Sequence, residues 1–259
     1  MGTGAKVSIL GRETWILLIA GVISAGVAGV IAWFSRHRGQ EAEDVTIGFL
    51  GPSLAAMYLL VLALALATEW QTIGTAQQAV SNEAVAVQQV YWAANGLTPP
   101  AADTLRTQVR GYLTTVLHHD WTQMEQGTLD DASLSQLTAM STSTLRLNTQ
   151  TSSAADAQQY ATAQISALAS ARAQRENAAE SRLPVGLLAA VIATSAIVGV
   201  FPFAGGLKRA KTPVSVAVLQ AALVAIAVVV VFQLNNPFAG PLATSPGPLA
   251  TVAAGIGVH

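Results

Sequence analysis

Residues 45–67 read VTIGFLGPSLAAMYLLVLALALA, twenty-three positions without a charge, closed by Glu69-Trp70. A helix of about 20 apolar residues crosses the hydrocarbon core of a bilayer. Three more runs are of similar length. Trp15 to Phe34 is charge-free, with tryptophans at Trp15 and Trp33 where interfacial aromatic belts are expected. The others run from Leu183 to Ala204 and from Val214 to Leu234. None of the four contains Asp, Glu, Lys, Arg or His. The chain as a whole is 52% hydrophobic and 10% charged over 259 residues. Soluble domains carry about 25% charged residues, so too little polar chain remains to wrap four such helices in water. The first run exceeds the roughly 7–15 apolar residues of a secretory signal. Arg36-His37-Arg38 follows it, which reads as the cytoplasmic end of a retained span.

Residues 69–182 have another composition, rich in Gln, Thr, Ser and Ala. They hold Glu69, Glu83, Asp103, Asp120, Glu125, Asp130, Asp131, Asp156, Glu176 and Glu180 against six arginines and no lysine. Leu105, Val109, Tyr112, Leu113, Val116 and Leu117 recur at helical spacing. Leu134, Leu137, Leu145 and Leu147 suggest a shorter helix. Val80, Ala84, Val87 and Tyr91 suggest one continuous with the second span. Pro99-Pro100 breaks the chain, and Gly127 with Asp130-Asp131 supplies the next turn and cap. From Ser152 to Ser181 there is neither Pro nor Gly, which predicts one long helix running into the third span.

The expected fold is an all-α membrane protein. Four transmembrane helices carry an extramembrane antiparallel helical bundle inserted between helices 2 and 3. The division is 1–68 for transmembrane helices 1 and 2, 69–182 for the bundle, 183–234 for helices 3 and 4, and 235–259 for a Pro/Gly-rich tail. The short loops hold Arg36, Arg38, Lys208, Arg209 and Lys211, and no Lys or Arg follows Leu234. The positive-inside rule puts those loops in the cytoplasm. The bundle and both termini are then extracytoplasmic, in a bacterial plasma membrane. Arg172, Arg175 and Arg182 near the third span count the other way.

The polar inventory excludes several classes. Proton-coupled transporters and voltage sensors need charges inside the membrane. There is no cysteine and no hydrolase, zinc-protease or phosphate-loop signature, so neither an enzyme nor a cofactor or metal site is expected. His118-His119-Asp120 does not converge on a helix and reads as a solvated helix end. With a net charge of −1, no nucleic-acid partner is expected. Gly21, Ala25 and Gly29 recur every four residues on the first span, a spacing that lets backbones approach closely within or between subunits. Gln220 lies near the middle of a span, where an amide seeks an interhelical partner. Glu69 and Glu83, fourteen residues apart on one helix, share a face just outside the membrane. In a homo-oligomer such carboxylates would concentrate cations.

The order of several segments carries a resemblance. Gly48-Phe49-Leu50-Gly51-Pro52 is followed by Asn82-Glu83-Ala84, Tyr91-Trp92, Leu97-Thr98-Pro99-Pro100 and Val109-Arg110-Gly111-Tyr112. Asp120-Trp121-Thr122-Gln123-Met124 comes next, and Asn236-Pro237-Phe238-Ala239-Gly240 follows the last span. Over about 45–245 the chain resembles the bacterial bestrophin-like membrane proteins, a family of unknown function. The resemblance implies kinship with bestrophins, which are pentameric anion channels with a cytosolic domain. In bestrophins acidic residues follow the Asn-Pro-Phe-Gly-like element and help sense calcium. Here Pro241 to Ser245 contains no acid, so calcium gating is not implied. Two functions are expected from different classes: a homo-oligomeric ion channel, or a non-conducting membrane scaffold whose bundle binds an envelope protein partner.

Overall fold

The computed structural model describes residues 40–129, 131–204, 214–240 and 242–258. The first span with Gly21, Ala25 and Gly29, and the loop bearing Lys208, Arg209 and Lys211, lie outside the described residues. What is described folds into helices and turns, with no strand. Two compact units divide the chain: 1–69 with 183–235, and 70–182 with 236–259.

In the first unit, helix α1 (Gln40–Ala93) begins, and it continues into the second without a break. Pro52 lies inside it. A side chain at Gly51 would meet the Phe201 ring, with a Cβ only 3.1 Å from Cε1. Among the described residues, helices α6 (Val185–Ala204) and α7 (Val214–Leu234) make up the rest of this unit. Ala65, Leu183, Val191 and Val231 form a small core. The apolar surface points mainly outward: Met57, Leu60, Leu219, Leu223 and Ile226 are all more than half exposed. Two helical stretches, Gly51–Gly96 and Ser152–Gly199, are long and apolar enough to cross a membrane, and only 11% and 22% of their most apolar windows is buried. A soluble core helix would hide that surface.

In the second unit, α1 is joined by α2 (Pro99–Thr115), α3 (Trp121–Glu125), α4 (Ala132–Leu145), α5 (Ser152–Glu180) and α8 (Gly247–Gly255). A π-helical turn, Val116–Asp120, links α2 to α3. Prolines at the first two positions of α2 cost nothing, because those N–H groups have no partner within the helix. Leu105, Val109, Tyr112 and Leu113 face the core, with Leu117 partly buried against it. Gly127 closes α3 at φ +72, and a Cβ there would stand 3.0 Å from Arg182 Nη2. The Thr151 side chain caps α5 by accepting from the Ala154 N–H at 3.2 Å.

Four details differ from the sequence expectation. On α4 the buried stripe is Ser133, Leu137, Met140 and Thr144, the i, i+4, i+7, i+11 face. Leu134 and Leu145 each miss it by one position and are exposed. Asp131 stands at the N-cap of α4 without a capping bond from its side chain, and Asp130 lies outside the described residues. Helix α5 stops at Glu180 rather than entering the third span, and Ser181 is extended. Pro184 accounts for the break, because it disfavours helical backbone before it and offers no N–H. Finally, residues 236–259 are no free tail. Phe238, Leu249 and Ala253 are buried in the bundle core, and Trp121 meets the Phe238 ring edge-on at 5.4 Å.

Candidate functional site

The concentration of chemistry in this chain is inside the bundle. Arg175 on α5 is 1% exposed, yet it is a cation. Its Nε donates to Glu83 Oε2 at 2.5 Å, and its Nη2 reaches Asp120 Oδ2 at 3.4 Å. Tyr112 donates to the other Glu83 oxygen at 2.5 Å. Ser133 donates to Asp120 Oδ2 and accepts from Arg172 Nε at 2.6 Å. Arg172 in turn pairs with Glu176 at 2.5 Å, one turn along α5. The group joins α1, α2, the π-turn, α4 and α5 through three carboxylates and two guanidinium groups.

The electrostatics follow from burial and from these partners. Burial alone would lower the Arg175 pKa, but Glu83 beside it reverses the effect and holds the guanidinium firmly protonated. Burial and the Glu83 charge push the Tyr112 hydroxyl well above its usual value, so it stays a donor. Glu176 is raised by burial, and the two arginines offset only part of that rise. One oxygen has no partner: Asp120 Oδ1 is buried without a hydrogen bond.

The predicted site residues are therefore placed differently from the sequence expectation. Glu83 is fully buried and ion-paired, so it cannot act as a solvated carboxylate ring. Asp120 is buried too, whereas His118 and His119 are exposed. Among the described residues, no three His, Asp or Glu side chains are placed to hold a metal ion. Glu69 lies two residues past the charge-free run 45–67. It too is packed away, at 1% exposure with Oε1 unpartnered. Burial pushes its carboxyl up to about 7, so it is only about half ionised at neutral pH. Gln220 Nε2 donates to Val198 O at 3.1 Å, tying α7 to α6.

The element after the last span is built locally. Asn235 Oδ1 accepts from Leu183 N–H at 2.9 Å, and Asn236 Oδ1 accepts from Phe238 N–H at 3.1 Å. Pro237 O accepts from Thr244 N–H at 2.8 Å. Gly240 has φ +97, a conformation that a side chain would strain. This small loop presents Phe238 to the bundle core.

Arg172 and Arg175 were missed as site residues, although the sequence holds the signal. Ala161, Ile165, Leu168, Arg172 and Arg175 continue one buried stripe at spacings of three and four. Val80, Glu83, Val87 and Val90 do the same on α1. Opposite charges at core-facing positions of two helices are the signature of an internal ion pair.

The Glu69 carboxyl yields a pH prediction. A group whose pKa is raised by folding stabilises the fold below its unfolded pKa, and that contribution is lost as pH rises through the folded value. Thermal stability of the full chain in detergent should fall between about pH 5 and pH 8 as Glu69 ionises near 7. Glu69→Gln should flatten that fall. An equal fall in the variant would refute the assignment.

Comparison with known proteins agrees with the residues. The family model described as Bestrophin-like domain matches residues 17–249. No curated protein and no solved structure matches the chain. With nearly the whole chain inside the match, the protein belongs to the bestrophin-like family.

Proposed function

We propose that this chain is a homo-oligomeric membrane protein of ion-channel type. Four helices cross the bilayer, and the bundle stands outside the cytoplasm. The observation that supports the membrane reading is the outward apolar surface of the described helices in the first unit, a surface suited to lipid or to other apolar helices. Membership of the bestrophin-like family supports the channel class. The orientation gains support from the bundle. Arg172 and Arg175, the two cations that opposed it, are occupied by Glu176, Glu83 and Asp120. That leaves Arg182, with Lys6 and Arg12 of the N-terminal tail, against the five short-loop cations.

If the chain conducts, no charged ring lines its spans, and its constriction is apolar and gates by dewetting. The cation preference expected from Glu69 and Glu83 loses its basis, because both are packed inside. That same burial favours a second reading, a non-conducting scaffold whose bundle binds an envelope partner.

Planar-bilayer recording of the full-length protein under a KCl gradient separates the two readings. The channel reading predicts a current whose reversal potential Glu69→Gln leaves unchanged. Silence at both polarities, from protein shown to be inserted, would leave the scaffold. For orientation, Ser153→Cys is exposed at the start of α5 in a chain with no cysteine. It should react with a membrane-impermeant thiol reagent in intact cells. Labelling only after lysis would invert the topology.

A further inference from the structure

The contacts between helices fix which residues share an end of the bundle. Asn82 Nδ2 donates to Gln174 Oε1 at 3.3 Å, and a Cβ at Gly96 would stand 3.2 Å from that of Ala157. Helices α1 and α5 are therefore antiparallel, and Trp70 and Arg182 lie toward the same end. They are also the first and last residues of the segment 70–182, where the chain passes to the apolar runs 45–67 and 183–204. A second pair of contacts brings the α3–α4 turn to that end. Asp120 meets Arg175 at 3.4 Å. Seven residues further along both segments, a Cβ at Gly127 would stand 3.0 Å from Arg182 Nη2. Helix α4 then leads away again, with Ser133 on Arg172 and Ser143 on Gln108. Residues 126–131 are thus the tip of a helical hairpin at the end where the chain enters its apolar runs.

The tip is held in one shape. Gly127 N–H donates to Met124 O and Thr128 N–H to Gln123 O, both at 2.9 Å. That is the Schellman arrangement, with glycine at its left-handed position. The Thr128 hydroxyl also donates to Gln123, whose O and Oε1 lie 3.0 and 2.5 Å away. None of these bonds uses the side chain of Leu129, which is 41% exposed. Trp70 is 68% exposed at the same end. Arg182 is exposed and makes no hydrogen bond or ion pair among the described residues.

We infer that this tip lies in the lipid head-group layer, with Leu129 immersed and Arg182 on a lipid phosphate. The inference rests on the membrane reading above and adds a part of the bundle that touches lipid. Position selects the occupant. Trp70 follows Ala67 by three residues on one continuous helix, about 4.5 Å along its axis. Arg182 immediately precedes Leu183. Tryptophan and arginine at the ends of apolar runs belong to the interfacial layer, and a guanidinium matches a phosphate through paired hydrogen bonds. A hairpin tip at that level meets the same layer. Charge selects the lipid. Glu125, Asp131 and Glu180 are exposed and flank the tip and Arg182 along the chain, so an anionic surface is repelled. A zwitterionic head group offers its phosphate to Arg182 and its ammonium to these carboxylates.

Depth measurements on the full-length protein in phosphatidylcholine bilayers test this. The chain has no cysteine, so a nitroxide can be attached singly at Leu129→Cys, at Leu60→Cys on the outward apolar face, and at Ser153→Cys at the start of α5. Collision with oxygen relative to a water-soluble nickel chelate reads depth. The Leu129 label should sit within about 5–10 Å of the boundary between head groups and acyl chains. The Ser153 label, roughly 40 Å away along α5 at 1.5 Å per residue, should read water. Arg182→Gln should move the Leu129 label toward water, and so should replacing the lipid by phosphatidylglycerol. A Leu129 label as open to the chelate as Ser153, with Leu60 hidden from it, overturns the tip contact and leaves the membrane reading standing. A Leu60 label open to the chelate overturns both. A Leu129 label shielded from both reagents means that protein covers the tip, which refutes the lipid contact. An unchanged depth in Arg182→Gln, or a deeper one in phosphatidylglycerol, refutes the head-group pairing. If Leu129→Cys loses helix content by circular dichroism, Gln126→Cys on the same tip decides by the same reading.

Discussion

The bundle depends on one buried cation. Arg175 sits at the point where α1, the π-turn and α5 meet, with Glu83 on one side and Asp120 on the other. A guanidinium withdrawn from water is tolerable only when its charge and its donors are met. That requirement fixes the register of α5 against α1, because sliding either helix by a residue would separate Nε from Oε2. Tyr112 extends the constraint to α2 by donating to the other Glu83 oxygen, and Ser133 extends it to α4 by donating to Asp120 Oδ2, the oxygen that Arg175 also reaches. The apolar core supplies most of the favourable free energy of burial. It would accept a shifted packing far more readily than the ion network does.

The network also explains the placement of the π-turn and of the C-terminal element. Asp120 ends the π-turn, and the next residue, Trp121, receives the Phe238 ring. A one-residue change in that turn would rotate Asp120 away from Arg175 and Trp121 away from Phe238 together. The family element around Asn236 to Gly240 therefore has a structural task in this chain, holding Phe238 in the core. Its carboxylate-free continuation after Gly240 is consistent with that task.

Much of the architecture was legible in the sequence. Apolar runs free of charge identify helices with an outward apolar surface, and Pro99-Pro100 and Gly127 mark ends that the structure keeps. The uninterrupted 152–180 segment forms one helix for the reason its composition suggests, the absence of any breaker. The candidate site was less legible. Glu69 and Glu83 look like solvated acids because carboxylates are nearly always exposed. Only their place within an apolar stripe and, for Glu83, the matching place of Arg175 ninety-two positions away show otherwise. Sequence spacing reports which face of a helix a residue occupies, but the partner that makes burial tolerable comes from another helix. Residues 236–259 were misread for a related reason: a Pro- and Gly-rich segment resembles a linker until Phe238, Leu249 and Ala253 are seen to have somewhere to pack.

A double-mutant cycle on Glu83 and Arg175 tests this account most directly. The two singles, Glu83→Gln and Arg175→Met, and the double are compared by reversible unfolding of the full-length protein in detergent. Each single leaves a buried charge or donor without its partner, a loss of about 3–5 kcal/mol for a broken buried pair. The double removes both charges, so the account predicts that it is markedly more stable than the sum of the singles, with a coupling of about 2 kcal/mol or more. Additivity within about 0.5 kcal/mol would mean that the two groups do not depend on each other. The buried ion pair would then not be what sets the register of the bundle.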